Sequence, residues 1–261
     1  MRKNALKEKL DAGKRVFGAW SNLSSPTAIN VLGETGLDFC IIDMEHGPTT
    51  FQTAENQLFA AEAANMSPII RLGEGPAPHI LHALDIGAQS ILVSQVSTAE
   101  QAKQIADACY YMPEGNRGLS PFTRNHSYSE INLKEKMATA NKQMFVGVLV
   151  EGEEGVRNIP EIAKVKGLHM IYIGIYDLSM ACGVPGELTH PKVLNVMKEY
   201  AKIIDGSGLV AGSVAPDLGY MQILFDCGFR FVSYRADSAM LRDGYASALR
   251  AFSEISESRS N

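Results

Sequence analysis

Four apolar runs in this chain stop on side chains able to do chemistry. Phe39-Cys40-Ile41-Ile42 ends in Asp43, Glu45 and His46; Pro68-Ile69-Ile70 ends in Arg71; Phe145 to Val150 ends in Glu151; and Met170 to Gly174 is followed by Asp177. Glu151 and Asp177 are single carboxylates at or just beyond the end of an apolar segment. Converging with water, they form a hard-oxygen site for a divalent ion such as Mg2+ or Mn2+. Arg71 is a fixed cation whose planar fork suits a substrate carboxylate bidentately. His46 is a general acid or base near neutral pH, and Asp43, where it reaches the ring, fixes the tautomer and raises the imidazole's basicity.

Each residue also has a purely structural reading. Asp177 precedes Leu178-Ser179 and is placed to cap a helix. Glu151 has the same option or a salt bridge, Arg71 can pair with Glu45 or Glu74, and a lone histidine after a strand is more often structural.

The elements that must position these groups follow from hydrophobic patterning. Short β-branched or apolar runs alternate with amphipathic stretches at a period of about 25 to 35 residues, as repeated βα units on a parallel sheet require. The runs are Val16–Trp20, Phe39–Glu45, Pro68–Leu72, Ser90–Val96, Phe145–Glu151, Met170–Gly174, Val210–Val214 and Phe231–Tyr234. Helical patterns follow at Ser25–Leu32, Phe51–Ala64, Pro78–Ile86, Thr98–Ala108, Gly155–Val165, Pro191–Asp205, Leu218–Cys227 and Ser238–Ile255. Eight such units close as a (β/α)8 TIM barrel, an α/β fold, and no linker or change of composition divides residues 1–261, so a single domain is expected. Reactive groups of such a barrel gather at the C-terminal ends of its strands. The longest interruption, Tyr110 to Asn132, is expected to be a functional loop beside the site.

Composition sets the outer bounds. The chain has 261 residues, 46% of them hydrophobic, and a formal net charge of −5. That is enough for a sizeable core, and no basic stripe is offered to a nucleic acid. No segment reaches the roughly 18 apolar residues of a membrane span, and Met1 to Lys14 lacks the apolar core of a signal peptide, so no membrane association and a cytoplasmic location are expected. Cys40, Cys109, Cys182 and Cys227 are dispersed, never in a close pair, and read as reduced thiols.

Several segments together resemble the HpcH/HpaI aldolase family. They are Asp43-Met44-Glu45-His46-Gly47-Pro48, the Arg71 run, the loop Tyr111-Met112-Pro113-Glu114-Gly115-Asn116-Arg117-Gly118, Val150-Glu151, and Gly174-Ile175-Tyr176-Asp177-Leu178-Ser179. The likeness runs in order from Gly18-Ala19-Trp20 to Asp237. It implies a class II pyruvate aldolase that reversibly cleaves a 4-hydroxy-2-oxo acid to pyruvate and an aldehyde through a metal-stabilised enolate. Carried over residue by residue, Glu151 and Asp177 match the metal ligands, for Mg2+, Mn2+ or Co2+. Arg71 matches the group that binds the pyruvate carboxylate and stabilises the enolate, and His46 with Asp43 the acid–base pair. Gly174 and Arg117 match positions near the substrate, Arg117 being equally suited to anchor its loop or to contact another subunit. The resemblance further implies a homo-oligomer, a hexamer made as a trimer of dimers that exchange the last helix.

The chain departs from the family pattern at three places. Leu149 stands where many relatives have glutamine, Ser94-Gln95 replaces a Pro-Met pair, and Arg235 stands where glycine is common. These leave the proposed catalytic groups intact and bear on the aldehyde partner. Related readings keep the metal–enolate site but break another bond, as a CoA-thioester lyase or an oxaloacetate decarboxylase would. A barrel that binds an oxo acid without turnover is the reading of a different class.

Overall fold

The apolar runs pair side by side in chain order. The computed structural model of the chain describes residues 2–74 and 77–258. Its strands are β1 (Val16–Ser21), β2 (Phe39–Asp43), β3 (Ser67–Leu72), β4 (Ser90–Val96), β5 (Phe145–Val150), β6 (Met170–Ile173), β7 (Val210–Ala215) and β8 (Phe231–Ala236). All neighbours are parallel, and β8 returns to β1 with Val16 opposite Phe231, so the sheet closes into a (β/α)8 barrel.

The helices are α1 (Ala5–Asp11), α2 (Pro26–Glu34), α3 (Phe51–Ala63), α4 (Ala77–Asp85), α5 (Ala99–Cys109), α6 (Leu133–Gln143), α7 (Gly152–Ile162), α8 (Ile175–Ala181), α9 (Pro191–Gly206), α10 (Leu218–Asp226) and α11 (Asp237–Ser258). Thr98 and Gln101 form the reciprocal capping box their spacing predicts at the start of α5. Helices α6 and α8 lie outside the helical patterns of the sequence. Helix α6 buries only Ala140 and so has almost no apolar stripe, and α8 is a seven-residue turn directly after β6.

Two cores result from the alternation of side chains along each strand. One lies between strands and helices and takes residues such as Ile42, Ile70, Val93, Val148 and Ile171. The other fills the barrel, with Phe39, Ile41, Ile69, Leu92, Leu149, Met170, Tyr172 and Phe231 among its members. Phe39 and Phe231 stack there with centroids 4.0 Å apart. Gly18 makes room for that stack, because a Cβ at this position would come within 2.5 Å of the Phe39 ring. Leu6 and Leu10 of α1 join the same cluster and plug the N-terminal end of the barrel. Chemistry is thereby confined to the opposite end.

The segment Tyr110 to Asn132 does not lie beside that end. It connects α5 to α6 ahead of β5, and therefore belongs to the side of the barrel where helices run back into strands. Arg117 pairs with Asp85 at the end of α4, and Arg124 pairs with Glu62 near the end of α3. Gly87, at φ +111°, lets Arg124 pass, since a Cβ there would meet the guanidinium at 2.4 Å. Length had argued for function; topology makes the loop a brace.

Candidate active site

At the C-terminal mouth the strands bring their polar termini to one arginine. Arg71, on β3 opposite Asp43 of β2, is 5% exposed. Its Nε donates to Ser94 Oγ of β4 at 2.6 Å, and its Nη1 donates to Asp43 Oδ2 at 3.2 Å. Its Nη2 lies 2.5 Å from Glu45 Oε2 and 3.5 Å from Glu151 Oε1. Of the two pairings open to Arg71 on sequence grounds, Glu45 is thus the one formed. A guanidinium so completely held is fixed in place, and fixed donors cost no reorganisation when charge develops beside them.

Asp43 serves two neighbours at once. While Oδ2 takes Arg71, Oδ1 accepts the backbone N–H of Glu45 at 3.0 Å and of His46 at 3.1 Å. The expected contact between the Asp43 carboxylate and the His46 ring is not made. The aspartate holds the turn that carries the histidine, and the His46 side chain is exposed with no hydrogen bond to any described residue. Glu45 is held from the other side by Gln95, whose side-chain amide donates to Glu45 Oε1 at 2.7 Å. Gln95 sits at φ +60° where the pairing of β4 with β5 shifts register, a bulge of the kind that re-aims side chains at barrel rims.

Glu151 and Asp177 stand on adjacent elements. Glu151 is the residue before α7 but makes no side-chain cap bond. Asp177 lies in the first turn of α8, where Gly174 holds the capping position. Neither carboxylate is spent as a helix cap. Asp177 Oδ1 makes only a long 3.4 Å contact with the Gly152 N–H. Gly174 makes room for Asp177, since a Cβ there would lie 2.9 Å from Oδ2. Burial raises the Glu151 carboxyl above its ordinary value; Arg71 opposes the shift, and the charges of Glu45 and Asp177 add to it.

The donor set fits a divalent cation. One arginine stands among Asp43, Glu45, Glu151 and Asp177, an excess of negative charge that a bound dication relieves. Glu45 Oε2 is buried without a hydrogen bond despite its contact with Arg71. Among the described residues no group of three or more His, Cys, Asp or Glu is arranged to hold a metal. A two-carboxylate site is what Mg2+ tolerates, because it keeps several waters and takes further oxygens from substrate.

The floor of the site was not foreseen. Trp20, at the end of β1, lies with its ring 5.1 Å from the Arg71 guanidinium carbon, a cation–π contact from below. Its Nε1 donates to Ser233 Oγ at 2.9 Å and Tyr172 Oη at 3.1 Å, and these hydroxyls bond each other at 2.7 Å. Period-two alternation from Gly18 would have put Trp20 on the inner face with Arg71. Leu149 also faces inward, 4% exposed among the interior apolar residues, so it acts as core beneath Glu151.

Arg117 is not brought to this mouth. Its side chain pairs with Asp85 at 2.8 Å, stacks 4.6 Å from the Tyr111 ring and is buried, which makes it a loop anchor. A cavity of about 310 Å3 adjoins the site on the β4 side, lined by Glu74, Ser94, Gln95, Val96, Gln101, Gln104 and Ile105. A larger one, about 870 Å3, is a groove between α5 and α7 that touches none of the site residues.

A closed parallel barrel with carboxylates and one buried arginine gathered at its C-terminal mouth is the architecture of a TIM-barrel enzyme. The family model of the HpcH/HpaI aldolase/citrate lyase family matches residues 16–243, and the chain belongs to that family. Hydroxypyruvate/pyruvate aldolase of Roseobacter denitrificans is 36% identical over 239 residues, covering 91% of this chain and 93% of the relative. The 2-keto-3-deoxy-L-rhamnonate aldolase of Escherichia coli K12 is 33% identical over 252 residues, covering 95% and 93%. The crystal structure of an HpcH/HpaI aldolase from Desulfitobacterium hafniense superposes with a TM-score of 0.88 at 28% identity, covering 95% of this chain and 96% of that one. The chain is accordingly an enzyme, an aldolase of class II, and its family is generally divalent-metal dependent. Among the described residues no helix is long and apolar enough to cross a membrane.

Proposed function

We propose that this enzyme reversibly cleaves a 4-hydroxy-2-oxo acid to pyruvate and an aldehyde, with Glu151 and Asp177 as metal ligands and Arg71, Asp43 and His46 as the groups that move charge and protons. The observation that carries the reading is the placement of Arg71, fixed by Ser94 and Asp43 and 3.5 Å from Glu151. Breaking the C3–C4 bond leaves an electron pair that delocalises onto the C2 oxygen of the pyruvate fragment. Glu151 and Asp177 would hold a divalent ion, Mg2+, Mn2+ or Co2+, which when bound would supply Lewis-acid stabilisation of the developing negative charge. Arg71 donates hydrogen bonds to the same developing charge, exchanging its contacts with Glu45 and Glu151 for the substrate. His46, with its ring free at the rim, takes the proton of the C4 hydroxyl as the aldehyde forms, and protonation of the enolate at C3 by solvent then completes pyruvate. Asp43 holds the His46 main chain and Arg71 in one frame. Gly174, which makes room for Asp177, stands at the substrate-binding position that the family resemblance implies.

The exposed apolar residues of α11 support assembly into a homo-oligomer, a trimer of dimers joined through that helix. Cys40, Cys109 and Cys227, buried free thiols, suit the reducing cytoplasm, the location we propose.

Pyruvate incubated with metal-loaded protein in D2O tests the reading. Loss of the methyl proton signal is expected, abolished by EDTA and by Glu151→Gln. No metal-dependent exchange would refute the enolate mechanism. Exchange without cleavage of any 4-hydroxy-2-oxo acid would reassign the bond broken to that of a CoA thioester or of oxaloacetate.

A further inference from the structure

The rim of the barrel carries a second arginine, and its backbone is strained. Arg235 stands at φ +49°, in the left-handed region that glycine occupies freely and a long side chain only at an energetic cost. It is the extra residue of a bulge: Gly18 pairs with Ser233, but Trp20 pairs with Ala236. Ser233, two residues earlier, accepts the Trp20 indole N–H, and that indole lies beneath Arg71. Arg235 is therefore two residues beyond the floor of the site, at the C-terminal rim of β8. Bulges at barrel rims re-aim side chains, and here the side chain re-aimed is a cation.

Its charge is only partly answered. Arg235 Nη2 donates to Asp243 Oδ2 in α11, and the same carboxylate receives Arg242 Nη1 at 2.9 Å. Two guanidinium groups thus share one anion. The Arg235 side chain remains one-third exposed, at 34%, and its Nε and Nη1 have no partner among the described residues. The inner site, rich in carboxylates, has Arg71 for the oxo-acid end of a substrate; a negative group at the far end needs a cation at the rim.

We infer that Arg235 binds an anionic group carried by the aldehyde partner, with Asp243 as the place-holder that the substrate displaces. The preferred substrates are then 4-hydroxy-2-oxo acids bearing a carboxylate or phosphate at the distal end. This rests on the aldolase reading above and specifies its acceptor.

The test condenses pyruvate, on the metal-loaded full-length enzyme, with matched aldehydes: succinic semialdehyde against butanal, and glyceraldehyde 3-phosphate against glyceraldehyde. Arg235→Gln is expected to lower the anionic-to-neutral ratio of kcat/KM roughly ten- to hundredfold, the worth of a charge-assisted hydrogen bond, mainly through KM. Arg235→Lys should restore much of the ratio, and Asp243→Asn, which frees Arg235, should raise it. The carboxylate and phosphate pairs show which anion is preferred. An arginine that only anchors α11 would make Arg235→Gln and Asp243→Asn act alike on charged and neutral aldehydes, and that result overturns the assignment. Methyl-proton exchange on pyruvate alone, measured on the same proteins, separates the failures: exchange with an unchanged ratio removes Arg235's role, and no exchange in the unaltered enzyme removes the aldolase reading with it.

Discussion

Asp43 and His46 are joined through the main chain and not through their side chains. Asp43 Oδ1 accepts the His46 backbone N–H at 3.1 Å, while Oδ2 lies 3.2 Å from Arg71 Nη1. The aspartate is therefore a hinge between the rim histidine and the buried arginine.

Two substitutions separate those duties. Asp43→Asn keeps one oxygen for the turn but sets an NH2 donor against Arg71 Nη1, while Glu45 and Glu151 still answer the guanidinium's charge, so the cost is that of one charge-assisted hydrogen bond, about 1.5–3 kcal/mol. Pyruvate methyl exchange should fall by roughly ten- to hundredfold, consistent with that energy. His46→Gln leaves Arg71 untouched, so it should lower cleavage by way of proton transfer alone. Steady-state kinetics of both variants check this; identical changes in kcat and KM would mean that the two residues act as one unit.

The barrel was legible because each strand announces itself as an apolar run, and the observed ends of all eight strands lie within two residues of those read from the sequence. The polar termini were legible for the same reason: Asp43, Arg71 and Glu151 interrupt or end such runs. What could not be read was which partner each would choose. Arg71 had two candidate glutamates on sequence grounds and takes Glu45, because β2 and β3 pair in the register that sets Asp43 opposite Arg71. Ser94 and Gln95 were hidden because their roles arise across strands, from Arg71 and Glu45, and no local pattern encodes them; alternation along β1 could place Trp20 on the inner face but not name Arg71 as its partner. Of the roles its motif left equally open to Arg117, the contacts with Asp85 and Tyr111 are those of a loop anchor, which a loop motif alone does not select because it carries no record of which end of a barrel it will face.

Metal binding should report directly on the paired carboxylates. Titration calorimetry with Mn2+ should give one site per chain, with affinity lowered at least tenfold by Glu151→Gln and by Asp177→Asn, since each removes one of two protein anions from a hard-oxygen site. Both variants should keep their thermal unfolding midpoint without metal, because neither carboxylate caps a helix. Unchanged affinity in both would place the metal elsewhere.

His169 gives the fold a pH dependence of its own. It lies just before β6 at the plugged end of the barrel, where Nδ1 accepts the Val146 N–H at 3.1 Å. Burial, chiefly, with Lys7 adding to it, lowers its pKa from 6.5 to about 4. The neutral ring is the native form, so between those values the unfolded chain binds the extra proton and stability falls as pH falls. The full penalty is about 3 kcal/mol, of which about 2 kcal/mol should develop between pH 7 and pH 5. Urea unfolding across that range should show the decline, and His169→Gln should flatten it. A slope unaffected by the substitution would assign the dependence to other groups.

The last helix has too little of its own barrel to rest on. Of the residues Asp237–Ser258 only Asp237 is buried, held by Ser21 Oγ at 2.6 Å and the Asn22 N–H at 3.1 Å. Met240, Leu241, Tyr245, Leu249, Phe252 and Ile255 are 48–74% exposed. An isolated helix gains little from propensity alone, and one of this length that leaves its apolar residues in water needs a partner surface. A neighbouring copy offers the matching surface by symmetry, since the same face is present on each chain. The trimer of dimers proposed above would show in light scattering as a mass near six copies of the 28.3 kDa chain, about 170 kDa. Leu249→Asp with Phe252→Asp should reduce it to smaller species without unfolding the barrel, as far-ultraviolet circular dichroism would show. A mass unchanged by the double substitution would mean that α11 is covered by something other than a second copy.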